Sequence, residues 1–201
     1  EGQWTPAPWI NVVANPTFGF QTSVEGGGYT WSTNSRENQL TGWSNDPVCD
    51  RASEVLYIRD EDDGALLTPT ALPIRSDTGT YIARHGQGYT RFEHAARGLS
   101  LELLQYVPLG DPIKISRLKI RNHSDRTRRE RVEESRMTEE LDRAGFTVAS
   151  CIGSIRRDRS RSRERCAARA QSVAVRVRRP RGICRPRRAA APARRAASPG
   201  G

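Results

Sequence analysis

Apolar and polar residues alternate along the first 125 residues with the period of two that is typical of β-strands. Leu99, Leu101 and Leu103 fall on one face of such a strand, and Phe18 and Phe20 fall on one face of another. No stretch in this part has the apolar spacing of three to four residues that indicates an amphipathic helix. The pattern therefore predicts a segment built from strands.

The predicted strands are short and are separated by turn residues. They cover residues 10–14, 17–24, 54–59, 65–68, 80–84, 88–94, 99–107 and 113–121. An Asp-Gly pair between the third and fourth strands is a strong hairpin signal. In the last strand the alternation shifts phase between Ile115 and Leu118, which predicts a β-bulge near Ser116 or Arg117. The predicted fold class is all-β, an antiparallel β-sandwich.

Composition divides the chain into two parts. Residues 1–125 hold nine Arg and two Lys against fifteen Asp and Glu, a net charge of −4, whereas residues 126–201 hold twenty-two Arg against eight Asp and Glu, a net charge of +14. All Trp and Tyr residues lie before residue 107. We therefore predict a partial β-sandwich domain over residues 1–129 and an Arg-rich tail over residues 130–201.

The Arg-rich tail has too little apolar surface to offset the entropy of ordering, so we predict that it is disordered. Residues 151–201 contain sixteen Arg, ten Ala, four Pro and four Gly, the residues that codons made only of G and C encode. One hypothesis is out-of-frame translation of a GC-rich gene. The alternative is a nucleic-acid-binding protein that acts through this tail, although the tail lacks lysine and the aromatic residues that stack bases.

The stretch from Trp31 to Asp46 differs from the predicted strands. It combines two indoles with planar amides, a guanidinium and carboxylates, and Leu40 is its single aliphatic residue. Indoles stack on the C–H faces of a pyranose ring, while Asn, Asp and Arg side chains hydrogen-bond its hydroxyls. The stretch is a candidate sugar-binding segment, and the alternative is a surface loop attached by two half-buried indoles.

Several long motifs carry a resemblance to a known family. They are Pro8-Trp-Ile-Asn-Val-Val-Ala-Asn-Pro-Thr-Phe-Gly-Phe20, Tyr29-Thr-Trp31, Ser35-Arg-Glu-Asn-Gln-Leu-Thr-Gly-Trp-Ser-Asn-Asp-Pro47, Arg84-His-Gly-Gln-Gly-Tyr-Thr-Arg-Phe-Glu-His94 and Leu101-Glu-Leu-Leu-Gln-Tyr-Val-Pro108. In this order they resemble glycoside hydrolase family 94, and within it the C-terminal region of the cyclic β-1,2-glucan synthases. The resemblance extends over about residues 6–129.

The resemblance implies an incomplete N-terminal supersandwich domain, classed in the family as carbohydrate-binding. In family members a helical barrel that holds the catalytic aspartate follows, and inorganic phosphate is the co-substrate for cleaving or forming a β-glucosidic bond. Nothing in this chain resembles that barrel, so we expect a carbohydrate-binding fragment of a glycosyltransferase or phosphorylase that is not catalytic alone. No cofactor is expected.

The implied partners are a β-glucan or oligosaccharide, the barrel domain of the same chain and a second copy in a homodimer. No specific nucleic acid is expected. Because no apolar run approaches the roughly 18 residues of a membrane span and no secretory signal is present, the expected location is the cytoplasm. The resemblance leaves open an association of the parent protein with the inner membrane.

Six side chains in the matching motifs are the candidate sugar contacts: Trp31, Arg36, Asn38, Trp43, Asn45 and Asp46. The alternative left open is an ion pair between Arg36 and Asp46 that fixes the loop, while Trp31 and Trp43 close the edge of the sandwich. No catalytic residue is expected. Glycoside chemistry normally needs two carboxyl groups, or one acid plus phosphate, and Glu37, Asp46, Asp50 and Glu93 qualify by residue type only.

The strand predicted over residues 88–94 also carries polar residues from a matching motif. Its alternation places Arg91 and Glu93 on one face and Phe92 and His94 on the other. A paired role on the sheet surface is favoured for Arg91 over a catalytic one. No metal site is expected, because the four cysteines lack the close spacing of zinc ligands.

Overall fold

The computed structural model describes residues 5–43, 46, 48–76, 78–135, 152–155 and 171–176. No helix in this described part is long and apolar enough to cross a membrane. The regular elements are strands, with the bounds β1 Ile10–Asn15, β2 Phe18–Ser23, β3 Gly28–Ser32, β4 Val55–Asp60, β5 Leu66–Leu67, β6 Thr80–Gly86, β7 Tyr89–Ala96, β8 Leu99–Tyr106, β9 Ile115–Asn122, β10 Arg128–Ser135, β11 Ile152–Ile155 and β12 Gln171–Arg176.

Within the described residues these strands form three sheets. The first has the order β1-β2-β3, the second β11-β10-β4-β5 and the third β12-β9-β8-β7-β6. Neighbouring strands run antiparallel in all three sheets. Short turns join β1 to β2, β2 to β3, β6 to β7 and β7 to β8, as expected for antiparallel hairpins. The predicted all-β, antiparallel class is confirmed.

The hydrophobic core lies between the four-stranded and five-stranded sheets. Ile58 and Val132 enter it from the four-stranded sheet, and Phe92, Leu101 and Leu118 enter it from the five-stranded sheet. Each is buried, because alternate residues of a strand face the same side of a sheet. This layer is the β-sandwich that the alternation of apolar residues predicted.

The prediction of a β-bulge near Ser116 or Arg117 is wrong. β9 pairs with β8 residue by residue along its whole length, without an inserted residue. Lys114, Ser116 and Leu118 are all buried, whereas Ile115 is only partly buried. Two polar residues therefore occupy the inward positions at the start of this strand, and the apparent change of phase arises from their polarity and not from an insertion.

β10 continues the sandwich beyond the boundary predicted at residue 129. It pairs with β4 from Glu130 opposite Asp60 to Ser135 opposite Val55. The strand extends this far because Val132 faces the core and because β4 would otherwise present an open edge. The boundary predicted at residue 129 therefore falls inside a strand and not between two elements.

Two short strands lie within the Arg-rich tail, where no regular structure was expected. β11 pairs with β10, and β12 pairs with β9 from Gln171 opposite Ile120 to Arg176 opposite Ile115. Each adds backbone hydrogen bonds to the edge of a sheet, which needs little apolar surface of its own. Residues 130–135 of the tail belong to β10, its remaining residues lie outside the described residues, and the disorder predicted for these stays a prediction.

Two asparagine side chains attach the three-stranded sheet to the five-stranded sheet. Asn11 Nδ2 donates to the carbonyl of Tyr89 at 2.9 Å. Asn15 Nδ2 donates to the carbonyls of Pro108 and Asp111, both at 2.8 Å. An amide suits this task because its NH2 group carries two N–H donors. The three-stranded sheet, which bears the Trp31–Asp46 stretch, is thereby fixed relative to the core.

Candidate functional site

Residues 33–43, here called the tryptophan loop, follow β3 and fold back onto it. The N–H of Ser32 donates to the carbonyl of Asn38 at 3.0 Å, and the N–H of Leu40 donates to the carbonyl of Thr30 at 2.8 Å. Leu40, the single aliphatic residue of the stretch, is buried. Backbone hydrogen bonds at Ser32 and Leu40 thus hold the loop against β3.

Three aromatic rings contact one another beside the three-stranded sheet. The Tyr29 ring lies between Trp31, with centroids 5.3 Å apart, and Trp43, with centroids 5.0 Å apart and planes at 22°. Tyr29 and Trp31 are buried, whereas Trp43 is 40% exposed. Because Tyr29 covers one face of the Trp43 indole, the opposite face is the one open to a ligand.

A cavity of about 600 Å³ opens beside Trp43. This volume is in the range of about 300–1,000 Å³ found for small-molecule sites. The described residues that line it come from four separated parts of the chain: Ala7, Pro8, Ile10, Gln21, Gly27, Gly28, Trp43, Asp46, Cys49, Asp50, Arg51 and Ser53. The cavity therefore has apolar surface from β1 on one side and polar side chains from residues 46–53 on the other.

Asp46 is an ionised carboxylate on the cavity wall. Its Oδ1 accepts the backbone N–H groups of Cys49 at 3.0 Å and Val48 at 2.9 Å, and these bonds hold the pKa of Asp46 below its ordinary value. The thiol of Cys49 also donates to Asp46, and this bond raises the pKa of the thiol. At neutral pH the pair is a carboxylate beside a neutral thiol, and the carboxylate can accept hydrogen bonds from hydroxyl groups.

Asp50, the second carboxyl group of the cavity, has a raised pKa because it is buried, although a hydrogen bond from Ser23 opposes the shift. A pair of carboxyls with opposite pKa shifts is typical of glycoside hydrolases. Here, however, Ser23 donates its hydroxyl to Oδ2, and Oδ1 packs so tightly on Gly27 that an added Cβ would lie 1.8 Å away. Asp50 therefore holds the turn after β2 and does not face the cavity as a free acid.

Behind the tryptophan loop lies a buried ion pair between Glu54 and Lys114, whose side chains are 9% and 3% exposed. Glu54 Oε1 also accepts the hydroxyls of Thr30 at 2.5 Å and Thr41 at 2.6 Å. Burial alone raises the pKa of Glu54, but Lys114 and these hydroxyls outweigh it and the pKa lies below its ordinary value. The sequence interpretation missed this network, and the signal that could have revealed it is a lysine in an inward-facing phase.

The six predicted sugar contacts occupy different environments. Trp31 is buried, Trp43 and Asp46 line the cavity, and Arg36 and Asn38 lie on the exposed side of the tryptophan loop. Asn45 lies outside the described residues. Arg36 pairs with Glu37 at 3.5 Å and not with Asp46, so the ion pair left open as an alternative does not form.

The polar residues of β7 form a separate group away from the cavity. Arg91 and Glu93 share the outer face and pair at 3.3 Å, whereas Phe92 and His94 are buried on the inner face. The face assignment made from the alternation is confirmed. The His94 ring stacks on Tyr81 with centroids 3.8 Å apart and shares a hydrogen bond with the carbonyl of Thr80. These contacts fix the side chains of β7 within the five-stranded sheet.

Comparison with known proteins gives a consistent set of relatives. Residues 1–132 match the family model described as the supersandwich domain of glycosyl hydrolase 94. The chain is 45% identical over 131 residues to the cyclic beta-(1,2)-glucan synthase NdvB of Rhizobium meliloti (strain 1021). It is 30% identical over 125 residues to the N,N'-diacetylchitobiose phosphorylase of Vibrio proteolyticus and 28% identical over 129 residues to the solabiose phosphorylase of Paenibacillus borealis.

These alignments cover most of this chain but little of the relatives. They include 65%, 61% and 63% of the chain, yet 5% of the synthase, 16% of the diacetylchitobiose phosphorylase and 17% of the solabiose phosphorylase. The family match ends at residue 132, within β10 and before most of the Arg-rich tail, and gives the nucleic-acid alternative no support. The antiparallel sandwich and this match agree, and the chain belongs to the glycosyl hydrolase 94 supersandwich-domain family.

Proposed function

We propose that this domain binds a neutral oligosaccharide of the β-glucan class in the cavity beside Trp43. The observation that carries the proposal is the exposed indole on the cavity rim, which Tyr29 supports from behind. A pyranose ring presents a flat C–H face to such an indole, and its hydroxyls suit an ionised carboxylate such as Asp46. The name of the glucan synthase among the relatives supports a β-glucan ligand, and the names N,N'-diacetylchitobiose phosphorylase and solabiose phosphorylase support the broader class of oligosaccharides.

We further propose that the domain serves a longer enzyme acting on β-glucans, whose reaction takes place outside this segment. Of the two carboxyls on the cavity, Asp46 has a lowered pKa and Asp50 is engaged by Ser23 and Gly27. Neither is placed as the protonated acid that glycoside cleavage needs. Phosphate, as the co-substrate of such an enzyme, would act where the catalytic acid lies.

Replacing Trp43 tests the binding proposal. We expect Trp43→Ala in the full chain to lower the affinity for linear β-1,2-gluco-oligosaccharides about tenfold or more, because the stacking surface is lost. Isothermal titration calorimetry measures this loss without using tryptophan as the reporter.

Tyr89→Ala is the matched control, because Tyr89 is an aromatic residue with the same 40% exposure that does not line the cavity. Its affinity should equal that of the wild type. Equal affinities for the Trp43 and Tyr89 variants would place the sugar elsewhere. No heat of binding with any β-glucan would refute the proposed function itself.

A further inference from the structure

The ion pair between Glu54 and Lys114 is buried beneath the tryptophan loop, and the Lys114 ammonium lies 4.4 Å from the centre of the Phe20 ring. Removing two charges from water costs free energy that their attraction often fails to repay, so hydrophobic residues of similar volume would serve stability equally well. Stabilisation of the core therefore does not by itself explain why this ion pair is buried here.

Lys114 binds Oε2 of the Glu54 carboxylate, and the contacts of the other oxygen, Oε1, indicate such a role. Oε1 accepts the hydroxyls of Thr30 and Thr41, while the oxygen of Thr41 accepts the backbone N–H of Thr30 at 2.8 Å. A hydroxyl has a single proton, so both threonines must donate to the carboxylate and Thr41 must accept from the backbone. One charged group thus fixes the orientation of both hydroxyls.

The two threonines are neighbours of the stacked rings. Thr30 follows Tyr29 in β3, and Thr41 precedes Trp43 by two residues at the end of the tryptophan loop. Because Glu54 bonds to both, it links the strand that carries Tyr29 to the loop end that carries Trp43, in addition to the backbone bond from Leu40 to Thr30. Lys114 neutralises the buried carboxylate, which lets it remain ionised and accept both bonds.

We propose that Glu54 is a positioning residue for the sugar site, holding Trp43 against Tyr29 through Thr41. The inference rests on the proposed function, since it explains how the indole face is presented to a sugar. Charge-assisted hydrogen bonds are shorter and stronger than neutral ones, which suits a contact that must hold a loop end in one place. The network lies behind the cavity, so it acts on the ligand only through the ring.

Thr41→Val removes the hydroxyl while leaving the ion pair and the volume nearly unchanged, and Thr41→Ser restores the hydroxyl. In the full chain we expect the valine variant to bind linear β-1,2-gluco-oligosaccharides about tenfold more weakly and to make Trp43 more accessible to acrylamide. The serine variant should recover both properties. Thr78→Val is the matched control, because Thr78 is an exposed threonine outside the cavity.

A double-variant cycle separates positioning from general stability. If Thr41 acts through the ring, Thr41→Val costs no further affinity once Trp43 has been replaced by alanine. The quenching signal of Trp43 is taken as the difference between each chain and its Trp43→Ala counterpart. Should the valine variant not fold, Glu54→Asp takes its place, since it keeps the charge beside Lys114 but shortens the reach to the hydroxyls.

An unchanged affinity and unchanged quenching in Thr41→Val would overturn the inference, as would an equal loss in the presence and absence of Trp43. Failure of the wild-type chain to bind any β-glucan refutes the proposed function instead. In that case the quenching difference between the valine and serine variants still decides whether Glu54 and Thr41 position the ring.

Discussion

Gly19 in β2 has no side chain because the indole of Trp31 occupies the space above it. A Cβ at Gly19 would lie 2.5 Å from Cζ2 of Trp31 and 2.7 Å from the Cβ of Ala14. Both neighbours belong to strands of the same sheet, so neither can move without disturbing the pairing. The missing side chain at Gly19 leaves room for the Trp31 indole. Trp31 in turn contacts the Tyr29 ring.

We predict that Gly19→Ala destabilises the protein by about 1–3 kcal/mol, the cost of forcing extra volume into a packed site. Urea unfolding of the full chain measures the change in the free energy of unfolding. Gly110→Ala is the matched control, because an added Cβ there has no described atom within 4 Å. Equal stabilities for the two variants would mean that Trp31 does not pack on Gly19.

The sequence could reveal only part of the candidate site at the scale of single residues. Trp43 and Asp46, which both line the cavity, could be grouped because they are close in the chain and have the chemistry of a sugar contact. Ile10, Gln21 and Gly28 reach the same cavity from β1, β2 and β3, through a tertiary arrangement that local patterns do not encode. These three residues meet at the cavity because β1, β2 and β3 pair with one another in an antiparallel sheet.

At the scale of elements, alternation predicted the strands well and their irregularities poorly. Runs such as Leu99 to Leu103 identify a strand because every inward position is apolar. β9 misled the prediction because Lys114 and Ser116 take inward positions, and a polar residue there looks like a change of phase. The Lys114 ammonium donates a hydrogen bond to Glu54, sixty residues earlier in the chain.

β10 buries a carboxyl group where an apolar residue would be expected. Glu130 is fully buried opposite Asp60, its nearest cation is Arg128 at 3.7 Å, and neither of its oxygens accepts a hydrogen bond among the described residues. Burial, reinforced by the charge of Asp60, raises the pKa of Glu130 from 4.5 to about 7. The side chain is therefore held in its protonated form in mildly acidic solution.

The raised pKa makes stability depend on pH. Between pH 4.5 and pH 7 the folded state binds more protons than the unfolded state, so stability falls as the pH rises through this window. We predict that Glu130→Gln, which cannot ionise, is about 2–3 kcal/mol more stable than the wild type at pH 8 and similar to it at pH 4.5. Urea unfolding at both pH values measures the difference.

Glu37→Gln serves as the control for this pH effect. Glu37 lies on the exposed side of the tryptophan loop with a side chain that is 76% exposed, so its replacement should leave the pH profile unchanged. Parallel profiles for the wild type and Glu130→Gln would show that Glu130 ionises normally in the folded protein.

At the scale of the whole molecule, the sandwich depends on the strand that crosses the predicted boundary. β10 pairs with β4 along residues 130–135 and contributes Val132 to the core. Without these residues β4 has an open edge, which is a site for association between chains. The sheet order therefore includes residues 130–135 in the sandwich, beyond the boundary predicted at residue 129.

Two shortened chains test this limit. We predict that residues 1–129 associate more strongly and lack a sharp unfolding transition, whereas residues 1–135, which keep β10 on β4 and Val132 in the core, unfold cooperatively. Light scattering and urea unfolding distinguish the two, with the full chain as the reference. Identical behaviour of the two shortened chains would show that residues 130–135 are not needed for cooperative folding.

The tryptophan loop and the cavity wall that follows it are both attached to β3. Leu40 bonds to Thr30, and Ala52 forms a bridge with Gly28, so the chain leaves this strand and returns to it. The entropy of closing such a loop rises slowly, by about 0.6 kcal/mol for each doubling of its length. Residues can therefore be inserted between these two anchors without moving a sheet, which makes the segment a natural place to vary sugar specificity by design.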